Sequence, residues 1–378
     1  MGDSMKPLTI KKVEIFATGD PKAETVRWAY YMGPIYTTNI ICKITTEDGY
    51  EGIGATIAYT EHDFDLSIFE AVKPYLPGLI GKSALDREAI WDWMASRPNW
   101  MAFPTISIID IALWDLAAKQ AGLPLYQFLG AKRDKILSYA STPMFDTEEE
   151  YMDYIDDCIK QGFKSIKVHS YCIYKDDVEL IKNIQKRFGD KGIDFLLDVD
   201  QQYSREEALG MAQLLETYGW GWFEAPLPDH DLEGYQKLMD LTTVPISCGG
   251  NTLISLKEIQ HGIKLGCWTD LRADATVVGG ITPMLKIMAL AQANNMRCEV
   301  QSWGMVPTQA ANLHIMLSHN NCTYFEQAYP YERFETGTKT VIRTDKDGYV
   351  HAPTGLGLGV EVDWKEVERT TLAKFAVE

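Results

Sequence analysis

From residue 135 onward, short apolar runs alternate with longer amphipathic runs, and this rhythm constrains the fold more than any other feature of the chain. The runs predict strands at 136–141, 165–169, 195–200, 221–226, 245–250, 270–275, 298–302 and 323–327. They predict helices between them at 147–161, 176–188, 205–218, 232–241, 256–265, 282–293 and 307–318. Strict strand–helix alternation with short connections implies parallel strands joined by right-handed crossovers. Eight such strands are the number that closes a (β/α)8 barrel of TIM type. The stretch 329–338 holds Pro330 and Gly337 and need not form a full last helix.

The first third reads differently. Strands are predicted at 9–17, 38–46 and 50–55, with a turn at Asp48-Gly49, and helices at 62–75, 84–96 and 105–122. Strands first and helices afterwards describe an α+β unit. The tail is strand-like at 340–343 and 349–351 and charged at 364–369, and it is expected to pack back on the first unit. The division is therefore 1–134, completed by 340–378, and a barrel over 135–339.

Charge excludes some functions. With 36 Lys and Arg against 53 Asp and Glu, the net charge is −17. Such a chain repels phosphate backbones and anionic membranes, so neither nucleic acid nor membrane is an expected partner. Seven scattered Cys form no CxxC pair and read as free thiols in a reducing compartment. MGDSMKPLTI has no apolar core of a signal peptide, and no run is long and apolar enough to span a membrane. The expectation is a soluble cytoplasmic protein.

Function in a barrel collects where the strands end. The second strand ends in Lys167-Val-His169, the third in Asp198-Val-Asp200-Gln201, the fourth in Glu224-Ala-Pro226 and the fifth in Gly249-Gly250-Asn251. The sixth ends in Arg272-Ala-Asp274, the seventh in Glu299-Val-Gln301 and the eighth in Glu326-Gln327. Residues two apart share a side of a strand, so Lys167 pairs with His169 and Asp198 with Asp200. Asp198 and Glu224 on adjacent tips repel unless a cation joins them. A hard divalent ion with oxygen ligands solves that, and Mg²⁺ suits a site that keeps room for water or substrate. The amide oxygen of Asn251 can complete the set. A lone acid at a strand end is usually solvated or caps a helix; seven polar ends in succession are hard to dismiss.

With these residues in place, the chain resembles the enolase superfamily and, within it, the mandelate racemase-like branch. The likeness spans nearly the whole chain and includes Ala112-Leu-Trp-Asp115-Leu-Ala117 and Gly355-Leu-Gly-Leu-Gly359-Val360. It implies an N-terminal capping domain over a modified barrel, with Mg²⁺ at the mouth and abstraction of the proton next to a substrate carboxylate. Residue by residue, it places Asp198 and Glu224 as metal ligands. Gly250 stands where a third carboxylate is usual, and Asn251 becomes the substitute ligand. Lys167 falls beside the substrate carboxylate and metal. His169 takes the position of the base, with Lys167 as an alternative base if burial lowers its pKa. Asp274 matches the acid of the opposite face, but Gln301 replaces its partner His, and glutamine takes no proton at neutral pH. Glu326 matches an acid that steadies the developing negative charge.

One competent face suits β-elimination better than two-base racemisation. The resemblance thus implies a Mg²⁺-dependent lyase that dehydrates a hydroxy or sugar carboxylic acid to a 2-keto-3-deoxy acid. A racemase, an epimerase, a cycloisomerase and a barrel without catalysis remain open. Substrate contacts are expected from Asp200 and Gln201 and from an aromatic lid with Tyr30 and Tyr59. No charge falls between Arg27 and Lys43, which favours a mono-acid, with Lys175 and Arg272 as the candidates for any second carboxylate. Family likeness also implies a homo-oligomer.

Overall fold

The computed structural model describes residues 8–19, 27–29, 35–58, 62–97 and 103–378. Its N-terminal sheet contains β1 (Ile10–Thr18), β2 (Thr38–Thr46) and β3 (Glu51–Ala58), all antiparallel. Helices α1 (His62–Val72), α2 (Arg87–Ala95), α3 (Pro104–Gln120) and the short α4 (Leu125–Phe128) follow. The predicted helix at 62–75 stops early, and Lys73–Leu79, with Pro74 and Pro77, winds as a 3₁₀ segment. α3 is buried almost all round and lies directly on β3. Glycine makes that approach possible: a Cβ on Gly54 would stand 2.0 Å from the Ile108 carbonyl oxygen.

The barrel follows as β4 (Lys135–Ser141), α5 (Glu148–Gln161), β5 (Ser165–His169), α6 (Tyr174–Phe188), β6 (Asp194–Asp198), α7 (Arg205–Tyr218), β7 (Phe223–Glu224) and α8 (Leu232–Met239). It continues with β8 (Ile246–Ser247), α9 (Leu256–Leu265), β9 (Asp270–Ala273), α10 (Ile281–Ala293), β10 (Arg297–Val300), α11 (Val306–Ser318) and β11 (Tyr324–Ala328). Three of these helices are bounded by the same local chemistry. Thr147 with Glu150, Ser204 with Glu207 and Ser255 with Glu258 form reciprocal capping boxes, and left-handed Gly162, Gly219 and Gly266 end the same helices.

The eight strands run parallel in the order β10-β9-β8-β7-β6-β5-β4-β11. β10 and β11 share no ladder. They are joined by the Cys298 N–H donating to the Asn321 carbonyl at 2.7 Å and the Ser302 hydroxyl donating to the Glu326 carbonyl at 2.8 Å. In place of an eighth helix there is a single 3₁₀ turn, Tyr331–Phe334.

The tail departs from expectation in two places. Residues 340–343 form no strand; β12 (Tyr349–His351) pairs antiparallel with β4 instead. After α12 (Trp364–Arg369), an unforeseen strand β13 (Thr371–Val377) pairs antiparallel with β1, so the tail does return to the first sheet. Among the described residues, no helix is long and apolar enough to cross a membrane.

Candidate active site

The strand ends enclose a cavity of about 1070 Å³, and the ladder register sets the order of groups in its floor. His169 is the cross-strand partner of Asp198, and Asp198 is the partner of Glu224. Just beyond, the backbone leaves the extended region, with φ of +46° at Asp200, +66° at Gln201, +45° at Ala225 and +75° at Gly250. The ladders of β6, β7 and β8 therefore end sooner than the apolar runs suggest. Left-handed backbone at non-glycine residues is costly and tends to collect at functional sites.

A buried ion-paired cluster lies under the cavity. The Lys167 ammonium is 2.9 Å from Glu224 Oε1, 3.0 Å from Glu326 Oε1 and 3.3 Å from Asp198 Oδ2. Arg272 is also fully buried, with Nε 2.9 Å from Glu224 Oε1 and a terminal nitrogen 3.1 Å from Glu326 Oε2. Three carboxyl groups face two cations. Burial pushes Glu224 up to about 8, against the pull of Arg272 and Lys167. Burial also acts on Glu326 and Asp198, but there the neighbouring cations prevail. Lys167 and Arg272 hold Glu326 down to about 2, and Lys167 and His169 hold Asp198 well below the carboxylate range. Burial alone would strip Lys167 of its proton, yet Glu224 and Glu326 outweigh it and its pKa stands well above the ordinary lysine value. In this arrangement Lys167 is held as a cation by Glu224 and Glu326.

His169 is set up differently. Its Nδ1 lies 2.6 Å from the Thr142 carbonyl oxygen, which only accepts, so the ring proton sits on Nδ1 and Nε2 is left to take one. Asp198 Oδ2 is 3.2 Å from Nε2, placed to hold a proton once it arrives. Asp274 lies just past β9, buried, and accepts from the Thr276 N–H and hydroxyl and from Asn312. Burial pushes it up to about 6 despite those bonds. Gln301, just past β10, donates to the Gly249 carbonyl at 2.9 Å. Gln201 accepts from the Asp229 N–H, and Gln201, Asp200 and Asn251 all line the cavity. Tyr30 and Tyr59 lie outside the described residues.

Sequence reasoning missed several partners. Ser141 donates to Glu326 at 3.0 Å, Thr142 orients His169, and Asn312 braces Asp274 from α11. Ser141 and Thr142 stand at the mouth end of β4, and that position was the available signal. Arg272 was legible as inward-facing by its two-residue spacing from Asp274, but not its pairing. Because it is buried between Glu224 and Glu326, it is not a free partner for a second substrate carboxylate, and exposed Lys175 does not line the cavity.

The donors suit a hard divalent ion. Asp198 and Glu224 are adjacent carboxyl groups, and Asn251 lines the same cavity with an amide oxygen to offer. Among the described residues, no three His, Cys, Asp or Glu side chains are grouped so as to hold a metal ion by themselves. Mg²⁺ does not require such a grouping, because it keeps positions for water and substrate oxygens. The outer wall is apolar and aromatic: Trp28, Ile35, Ile57, Phe64, Ile68 and Trp303. Trp28 meets Trp303 edge-on at 4.9 Å, which ties the capping side to the barrel.

Known proteins share this architecture. The family described as Enolase C-terminal domain-like matches residues 150–367, and the mandelate racemase/muconate lactonizing enzyme N-terminal domain matches 32–130. L-talarate/galactarate dehydratase of Salmonella typhimurium is 32% identical over 303 residues, covering 78% of this chain and 71% of that protein. A crystal structure from Pseudovibrio sp., provisionally assigned to the mandelate racemase/muconate lactonizing enzymes, superposes with a TM-score of 0.96 at 49% identity, over 98% of this chain and 99% of that one. An L-talarate/galactarate dehydratase variant with Mg and L-glucarate bound gives 0.87 at 26% identity, over 97% and 93%. Other matched relatives carry dehydratase, cycloisomerase and epimerase names. The chain belongs to the mandelate racemase/muconate lactonizing enzyme family of the enolase superfamily, and it is an enzyme of that kind.

Proposed function

We propose that the protein is a Mg²⁺-dependent dehydratase of a hydroxy or sugar carboxylic acid, forming a 2-keto-3-deoxy acid. The observation that carries this reading is the asymmetry of the mouth: a proton-accepting His169 on one side and Gln301, which accepts none, across the barrel. Relatives bearing dehydratase names and a Mg-liganded neighbour support it. Residues 1–134 act as the cap, joined by β13 of the tail, and 135–339 as the catalytic barrel, on whose β4 the tail strand β12 pairs. The assembly is a homo-oligomer, which light scattering checks.

Asp198, Glu224 and Asn251 would hold Mg²⁺, which would supply Lewis-acid polarisation of the substrate carboxylate. The chain's own groups do the rest. Nε2 of His169 takes the α-proton while Nδ1–H stays on Thr142, and Asp198 steadies the imidazolium. Lys167 faces the negative charge that builds on the carboxylate, and Glu326 holds Lys167 in place. The C–H electron pair forms the new double bond and the β-hydroxyl departs. The same imidazolium returns its proton to that hydroxyl, releasing water, and the enol tautomerises to the ketone. Among the described residues lining the cavity, Lys167 is the one Lys or Arg, and it is already paired with three carboxyl groups, so a mono-acid is the substrate and di-acids such as galactarate are poor ones.

The test is a panel of mono- and di-acids with Mg²⁺ in deuterated water, read by mass and NMR. Loss of one water with a new 2-keto group supports dehydration. His169→Asn should then slow turnover about 10²–10⁴-fold. Deuterium gained at the α-carbon without loss of water instead identifies an epimerase, racemase or cycloisomerase. No exchange with any acid identifies a barrel without this chemistry.

A further inference from the structure

The cavity has two unlike sides. The side at the strand ends carries the polar groups, and several of these are committed elsewhere: Gln201 to the Asp229 N–H, Gln301 to the Gly249 carbonyl, Asp274 to Thr276 and Asn312. The side toward the cap is mostly carbon, with Trp28, Ile35, Ile57 and Ile68 from the cap and Trp303 from the barrel. Of its polar residues, Thr56 and Asp65 are only 1% and 2% exposed, so they present almost no surface to a ligand. Among the described residues that leaves the exposed Ser67.

Trp303 makes this wall a built feature. It stands two residues past Gln301, on the same strand end that serves the polar side. Its ring meets Trp28 at 4.9 Å and 71° and Phe334 at 4.8 Å and 72°, both favourable edge-on contacts. Phe334 comes from the 3₁₀ turn that replaces the eighth helix, and Ile57 of β3 packs in the same cluster. The indole is thus braced by cap and barrel while it lines the cavity. Phe64 lines the cavity too and is 68% exposed, carbon that a bound ligand can cover. The volume of about 1070 Å³ is far more than a four-carbon acid fills; pockets of about 300–1,000 Å³ take much larger ligands.

A hydroxyl set against such a wall loses its hydrogen bonds to water without replacement, whereas a CH₂ gains by leaving water. A sugar acid carries a hydroxyl on every carbon of its tail. We propose that the substrate is a 2,3-dihydroxy acid whose substituent on C3 is hydrocarbon, seated against Trp28 and Trp303. The inference rests on the dehydratase reading above and narrows its substrate. The balance is unchanged: the C2–H pair forms the C2–C3 double bond, the C3–O bond breaks, and hydroxyl and proton leave as water. The tail takes no part, so Trp28 and Trp303 set specificity.

The experiment uses the full chain with Mg²⁺ and 2,3-dihydroxybutanoate, -hexanoate and -octanoate, each as all stereoisomers. Aldohexonates are the polyhydroxy match for the six-carbon acid. At about fourfold per buried CH₂, kcat/KM should rise about tenfold or more from butanoate to hexanoate, and the hexanoate should exceed every hexonate. Calorimetry with 2-hydroxybutanoate and 2-hydroxyhexanoate, which have no C3 hydroxyl to lose, should show the same order in binding. Trp303→Gln should bring the hexanoate-to-butanoate ratio of kcat/KM down toward one, mainly through KM. Where that variant does not fold, Phe64→Ser, at an exposed position, should lower the ratio about twofold. A ratio unmoved by the substitution overturns the role of the wall. Hexonates turned over as well as the hexanoate overturn this inference and leave the proposed reaction standing. No loss of water from any acid, with 2-hydroxyhexanoate still bound more tightly than 2-hydroxybutanoate, overturns the reaction and leaves the tail site. No loss of water and equal binding overturn both.

Discussion

The Thr142 carbonyl bears on what His169 can do, since it fixes the ring proton on Nδ1 and leaves Nε2 beside Asp198. Gln301 carries the corresponding decision for the opposite side. Its amide donates to the Gly249 carbonyl and neither takes up nor releases a proton as an acid or base at neutral pH. Gln301→His should install a second acid/base group near Asp274. The expected result is α-proton exchange with inversion, absent from the parent and detected by chiral chromatography after incubation in deuterated water. A variant with unchanged stereochemical outcome would mean that the opposite face lies out of reach of the α-carbon. Both residues were legible in the sequence because each sits at a strand end. The electrostatic role of Lys167 was not, since it depends on three carboxylates from three other strands converging on one ammonium.

Among the elements, α3 links cap and barrel. Asp110 accepts from the Thr282 N–H at 2.9 Å and its hydroxyl at 2.6 Å, which holds the start of α10. Ser107 donates to the Thr276 carbonyl at 2.7 Å, in the loop that carries Asp274. Asp115 accepts from the Ile53 and Leu358 N–H groups at 2.8 and 2.7 Å, so the two sequence motifs that carried the family resemblance meet here. Burial pushes Asp110 up to about 7, with Thr282 and Arg87 only partly offsetting it. The native state therefore holds this proton more tightly than the unfolded chain does. Its stabilising contribution is complete below about pH 4 and is lost as pH rises through about 7. Asp110→Asn has no such proton to lose. Relative to the parent, it should gain up to roughly 4 kcal/mol between pH 4 and pH 8, as measured by chemical denaturation at both ends; a flat difference would refute the shift. The alternation that predicted these elements failed where the backbone turned left-handed, at Asp200, Gln201 and Gly250, and at β13. That strand is half-exposed along its length and alternates too weakly to stand out.

At the scale of the whole molecule, a net charge of −17 surrounds a site that takes an anion. Like charge slows the encounter at low salt, and screening relieves it. kcat/KM for the acid should therefore rise about two-fold or more between 10 and 150 mM salt, with kcat unchanged; a fall would show that the local cations at the mouth dominate the approach.

The pairing of β13 with β1 joins the last strand in chain order to the first. A ribosome delivers these two strands far apart in time, with the whole barrel between them. Until β13 emerges, one edge of β1 has no neighbour, so the lid cannot be finished before the vessel it covers. A chain whose translation stops within the barrel leaves that edge open. Open edges invite pairing with other chains, so an incomplete product advertises its own incompleteness to whatever surveys nascent chains.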